Sequence, residues 1–167
     1  MDLERALKQA LLRDENLEDL APRVKKTTPA SHWARVVLME RLAYLKEMAR
    51  FGSGEASENL REFPGHTAQL IFRSRSGEAE TDDTRANVYF VVAGAATLVT
   101  GGKLARSHST GPGKTSGDTI EGGTEQQLRS GDVVHIPAGV PHRLLLTGEQ
   151  NICCFALEIE TPPKELP

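Results

Sequence analysis

Cysteine is nearly missing: the chain of 167 residues has two, and they are adjacent, Cys153 and Cys154. Neighbouring strand residues point to opposite faces, so no bridge between them is expected. A chain without a disulfide framework fits a reducing compartment, and the cytoplasm is expected. An excess of basic charge is also lacking, with 20 Lys and Arg against 23 Asp and Glu and a net charge of -3. That leaves no electrostatic footprint for nucleic acid. No apolar run approaches membrane-spanning length, so no membrane partner is expected. The opening Met1-Asp2-Leu3-Glu4 is polar and reads as helix, not as a basic segment followed by an apolar one, so no signal peptide is expected. A Gly-rich phosphate loop opening a helix, a Gly-x-Ser-x-Gly elbow and a Cys-x-x-Cys pair are all missing.

What is present divides at about residue 54. Leu3, Ala6, Leu7, Ala10 and Leu11 form one helical stripe, and Leu17, Leu20, Ala21 and Val24 a second, shorter one that Pro22 cuts. Thr28-Pro29 reads as a cap and first turn, followed by a longer helix to Phe51. Its expected buried face is Val37, Leu38, Leu42, Leu45, Met48 and Ala49, and Gly52-Ser53-Gly54 is a joint. Residues 1–54 are therefore expected as a helical extension, packed on the rest of the chain or on a second copy.

From about residue 60 the apolar pattern alternates. His66 to Arg73 and Val88 to Ala93 read as strands, the latter ending at Gly94, and Ala95 to Thr100 reads as the next strand. Residues 103–124 are rich in Gly, Ser and Thr and read as a long loop, either a functional lid or a hairpin tip. His142 to Thr147 and Ile152 to Glu160 are two more strands, with Leu144 and Leu146 on the His142 face and Arg143 and Leu145 on the other.

The most specific stretch is Gly131-Asp132-Val133-Val134-His135-Ile136-Pro137-Ala138-Gly139-Val140-Pro141-His142. Gly131-Asp132 turns one strand into the next. Val133 to Ile136 is a short β-branched strand. Pro137 stops it, and Gly139 with Pro141 shapes a corner that delivers His142 to the start of another strand. A histidine held inward behind a rigid corner suits a metal ligand or a proton carrier.

Gly131, Pro137, Gly139 and His142 resemble the second motif of the cupin superfamily, departing only at Leu146, where Asn is usual. The resemblance covers roughly residues 65–160. It implies an all-β core, a cupin-type jelly-roll β-barrel, over residues 55–167, with the helical extension before it. The same resemblance implies a first motif of two His and a Glu ahead of Gly94. Counting back from Gly94, those positions hold Glu80, Asp82 and Asn87, and a shorter spacer would bring Thr81 and Asp83 instead. With His142 they form the candidate metal set. One imidazole with oxygen donors is a harder set than three imidazoles and a carboxylate. A divalent metal (Mn, Fe, Zn or Ni), or none, is the cofactor expectation. His135, Gln69, Tyr89 and His66 are candidate pocket residues whose facing the sequence leaves open.

Three functions follow from the resemblance. One is a small-molecule-binding barrel with a weak or missing metal site. Another is a metal-dependent enzyme (a dioxygenase, isomerase or lyase) using His142 with Glu80, Asp82 and Asn87. The third is a non-catalytic structural or regulatory dimer. A small-molecule ligand and a homodimer are the expected partners.

Overall fold

The computed structural model describes residues 30–162. The chain divides into two compact units, Met1–Trp33 and Ala34–Pro167, and the second holds all the elements below. The stripes expected within residues 3–24 and the cap expected at Thr28-Pro29 lie outside the described residues.

Helix α1 spans Arg35–Phe51 and buries Leu42, Leu45 and Ala49, with Leu38 partly buried beside them. Its start is later than expected: Ala34 is the N-cap, in extended conformation and with no side-chain cap bond. The helix thus begins one turn ahead of Leu38, where its packed face begins. That face is also narrower than expected, because Val37 and Met48 are exposed. At the other end Gly52 and Gly54 both donate their N–H to the Ala49 carbonyl, closing the helix as expected.

Twelve strands follow: β1 (Glu55–Phe63), β2 (His66–Arg73), β3 (Ala79–Asp82), β4 (Arg85–Thr100), β5 (Lys103–Ala105), β6 (His108–Gly111), β7 (Lys114–Gly117), β8 (Thr119–Glu121), β9 (Thr124–Arg129), β10 (Val133–Ile136), β11 (His142–Leu145) and β12 (Ile152–Glu160). Ten of them form one antiparallel sheet in the order β1-β2-β12-β4-β11-β3-β7-β6, with β9 and β10 also paired to β4. The sheet curls on itself, giving the all-β, jelly-roll type of core expected from the sequence, with α1 against its outer face.

Strand β4 makes the curl possible. Its first half pairs with β12 and β10, its second half with β11 and β9. The sequence suggested two strands broken at Gly94; the chain instead bends there and continues. Gly94 has φ +84°, and a Cβ on it would overlap the Asn151 carbonyl, whose oxygen accepts from Ala95 N–H at 2.9 Å. Only glycine permits both the angle and the approach.

Alternation along β2 and β12 sorts the side chains onto two faces. Leu70 and Phe72 of β2 and Cys153 of β12 meet Leu42, Leu45 and Ala49 of α1 on the outside. Inside lie Tyr89, Val91, Leu98, Ile136, Ile152 and Cys154, with Ile71 and Leu144 packed against them. The two adjacent thiols therefore serve opposite faces.

Two strand assignments depart from expectation. Strand β1 lacks a strong apolar signal because it is an edge: it pairs with β2 along its length apart from a register shift at Leu60, and turns only Ala56 and Leu60 toward the helix cluster. Residues 103–124 are not a loop but carry β5 to β8. Strand β7 pairs with β3 and β6 pairs with β7, so these two widen the sheet beyond β3, while β5 and β8 pair with each other in a separate two-stranded sheet. Its small polar residues suit an exposed sheet extension, where backbone pairing rather than burial supplies the stability.

Candidate functional site

Inside the curl is a cavity of about 400 Å³. Tyr89, Ile71, Ile152 and Cys154 give it apolar wall, while Gln69, Asn87, Thr81, Ser116 and His142 give it polar wall. Charged side chains reach it too: Arg73, Lys114 and Arg143 against Glu55, Glu78, Glu80, Asp82 and Glu158.

The corner before β11 places His142. Gly139, at φ +75°, donates its N–H to the Asp82 carbonyl at 2.8 Å, and Pro141 O accepts from Gly101 N–H at 2.9 Å. The corner is thus fastened both to the end of β3 and to the end of β4. His142 and Glu80 are direct cross-strand partners, so their side chains leave the same face of the sheet. His142 is only 4% exposed. Its Nδ1 lies 3.1 Å from the Val140 carbonyl. A carbonyl only accepts, so Nδ1 carries the proton, and Nε2 is turned toward Glu80. Glu80 Oε1 is 3.5 Å from that Nε2, and no group meets Nε2 in hydrogen-bond geometry. The contact is therefore an ion pair when the ring is protonated and a facing of two acceptors when it is neutral. The imidazole beside it, helped by Arg73 and Lys114 and opposed by burial, holds the Glu80 carboxyl below the ordinary carboxylate value.

Asp82 occupies the same wall but is already engaged. Its Oδ1 accepts from the Thr84 N–H at 2.8 Å, the Thr84 hydroxyl at 2.7 Å and the Arg85 N–H at 3.1 Å. Its Oδ2 lies 3.4 Å from Lys114 Nζ. Burial pushes its carboxyl up, but these hydrogen bonds and the Lys114 charge outweigh that and lower it. Asp82 caps the β3–β4 turn.

The donor set does not fit a metal centre. His142 offers one imidazole nitrogen and Glu80 one half-exposed carboxylate, while Asp82 spends Oδ1 on the turn and has Lys114 at Oδ2. Asn87 lines the cavity but is partnered in register with Ile136 and Glu158, two strands away from β3. Among the described residues no three His, Cys, Asp or Glu converge in a metal-holding group.

The other candidates divide. Gln69 is buried and donates through Nε2 to Glu158 Oε1 at 2.6 Å, and Arg85 Nη1 holds the second oxygen of that carboxylate at 2.7 Å. Tyr89 is buried on the cavity wall, and burial, then the Glu80 charge, raise its phenol. His66 instead stacks on Phe63 with ring centroids 4.5 Å apart, at the β1–β2 turn. His135 is exposed on β10, across from Val88, and lies off the cavity wall. The strand's alternation turns Ile136 inward and so His135 outward. Burial raises the Cys154 thiol to about 12 and the Cys153 thiol to about 11.

Sequence reasoning missed the cations. Arg143 alternates with His142 and was expected to face away, yet its Nε donates to the Gly77 carbonyl at 2.9 Å and the residue lines the cavity. Arg73 and Lys114 end or begin strands, where nothing in the pattern marks a facing.

No family model matches this chain, and no curated protein does. Solved structures do. The chain is similar to TT1209 from Thermus thermophilus, with 16% identity, 71% of this chain and 95% of that one covered, and a TM-score of 0.49. It is also similar to a predicted oxalate decarboxylase from Thermotoga maritima, with 12% identity, coverages of 64% and 81%, and a TM-score of 0.47. KdgF from Halomonas sp. is a further such structure, with 15% identity, coverages of 70% and 87%, and a TM-score of 0.45. These are likenesses of sheet architecture. No helix among the described residues is long and apolar enough to cross a membrane.

Proposed function

We propose that this chain is a small-molecule-binding barrel whose ligand sits in the cavity against His142 and Glu80. The observation that carries this reading is the buried Nε2 of His142 beside the cavity, with Glu80 Oε1 at 3.5 Å but no hydrogen-bond partner. Thr81 Oγ1, on the same wall, is also buried without a partner. An unsatisfied buried polar atom costs about 1–3 kcal/mol, and a polar ligand that reaches one relieves that cost. A homodimer is part of the same reading, and sedimentation equilibrium tests it.

The test has two arms. In the first, thermal shift against small carboxylates, sugars and amino acids is compared between wild type and Thr115→Trp, which fills the mouth of the cavity from a half-buried wall position. Compounds that raise the Tm of wild type and not of the filled variant support the reading. Equal shifts in both, or no shift with any compound, reject it. In the second, elemental analysis follows purification without chelator. Stoichiometric Mn, Fe, Zn or Ni that is lost in His142→Ala replaces this reading with a metal-dependent one.

A further inference from the structure

We infer that the ligand of this cavity carries a carboxylate, read by Arg143 and Arg73 where their guanidinium groups meet at Gly77. The inference rests on the binding reading above and adds the ligand's chemical class.

Gly77 is the pivot. Arg143, from β11, donates through Nε to its carbonyl. Arg73, from the end of β2, lies over its α-carbon so closely that a Cβ there would overlap the guanidinium. The backbone of Gly77 is not in the left-handed region, so an added Cβ would meet only the movable end of Arg73 and would push it aside. Two strands from separate parts of the sheet thus bring two cavity-lining cations to one residue, which itself lines the adjoining recess with Arg73 and Glu80.

Their charges are unequally matched. Arg73 has Glu55 Oε2 at 3.1 Å from its Nη1. Among the described residues no carboxylate pairs with Arg143; the only bond it makes uses Nε and leaves the Nη donors free. A half-buried guanidinium with unused donors, facing a cavity, is a fork for a planar pair of oxygens. Like charges brought together at one residue repel, and a bound anion removes that repulsion.

The rest of the wall disfavours a second negative charge. Five carboxylates line the cavity against three Lys and Arg side chains. A phosphate dianion would meet that acidic surplus with twice the charge. A monocarboxylate gains the fork and suffers half the repulsion. The far wall, with Gln69, Asn87, Thr81 and His142, then takes the polar, uncharged body of the ligand.

The experiment pairs compounds by skeleton: gluconate, glucose and glucose 6-phosphate; lactate and lactamide; succinate and succinamide. Binding is followed by amide chemical shifts in the full chain for wild type, Arg143→Gln, Arg143→Lys and Gly77→Ala. The expected result is saturable binding of at least one carboxylate, at least about 10-fold tighter than its uncharged mate. Arg143→Gln removes that preference, and Arg143→Lys, which keeps the charge and loses the fork, restores only part of it. Gly77→Ala, which displaces Arg73 without altering any charge, weakens the carboxylate alone. If uncharged members bind as tightly as their carboxylates and perturb Gln69, Tyr89 and Cys154, the cavity reading stands and the carboxylate inference is overturned. Tighter binding of the phosphate than of gluconate overturns it as well. Binding that leaves Gln69, Tyr89 and Cys154 unperturbed, or no binding by any carboxylate at tens of millimolar, overturns both.

Discussion

His142 and Glu80 stand directly opposite each other on β11 and β3, with Nε2 and Oε1 3.5 Å apart. The pairing lowers the Glu80 carboxyl from its ordinary 4.5. A carboxyl depressed in the folded state binds its proton more readily when unfolded. Its stabilisation is therefore present above 4.5 and lost as pH falls through the folded value. Glu80 is half exposed, so solvent screening limits the effect to under about 1 kcal/mol. Urea unfolding of wild type and Glu80→Gln at neutral and acid pH checks this. The stability gap between the two proteins is expected to close as pH falls, and an unchanged gap contradicts the assignment.

Gly94→Ala should be costly for a protein with few buried defects. The new methyl meets the Asn151 carbonyl, and the φ of +84° adds backbone strain. A loss of about 2 kcal/mol or more is expected in chemical denaturation. A loss below about 0.5 kcal/mol, the range of an ordinary surface change, would mean that β4 does not bend where it is described to bend.

Leu45→Ala tests whether α1 belongs to the barrel's core. Leu45 is 2% exposed, against Leu70, Phe72 and Cys153. The cavity it leaves should cost about 2–5 kcal/mol. Removing residues 1–51 should go further, exposing those three side chains and causing aggregation. A truncated barrel that stays soluble and equally stable would show the helix to be dispensable.

Both thiols should resist labelling while the protein is folded. Cys154, raised to about 12, and Cys153, raised to about 11, carry almost no thiolate at neutral pH. A disulfide reagent should react slowly with native protein and rapidly in denaturant, with both sulfurs titrating. Fast native labelling of either would place it in a different environment.

The corner from Gly131 to His142 was legible because its glycines and prolines have single mechanical reasons. Gly131 sits at φ +95° with its N–H on Val91 O, and Gly139 must come close to β3. The alternation of His142, Leu144 and Leu146 was equally readable, since inner faces are apolar. Edges were not readable. Strand β1 and the strands within residues 103–124 are held by backbone pairing, which leaves little mark on side-chain type. Long, flexible side chains defeated facing rules at the site: Arg143 starts outward and still reaches the rim. Asp82 looked like a ligand by position, yet its neighbour Thr84 had already claimed it.

The bend at Gly94 has a mechanical consequence. Because β4 is shared by both walls of the cavity, neither wall can open without disturbing the other's ladder. Amides of Val91 and Leu98, on either side of the bend, should exchange with solvent only through one common opening event. The cavity would then be as durable as the whole domain, reached through its rim rather than by parting the walls.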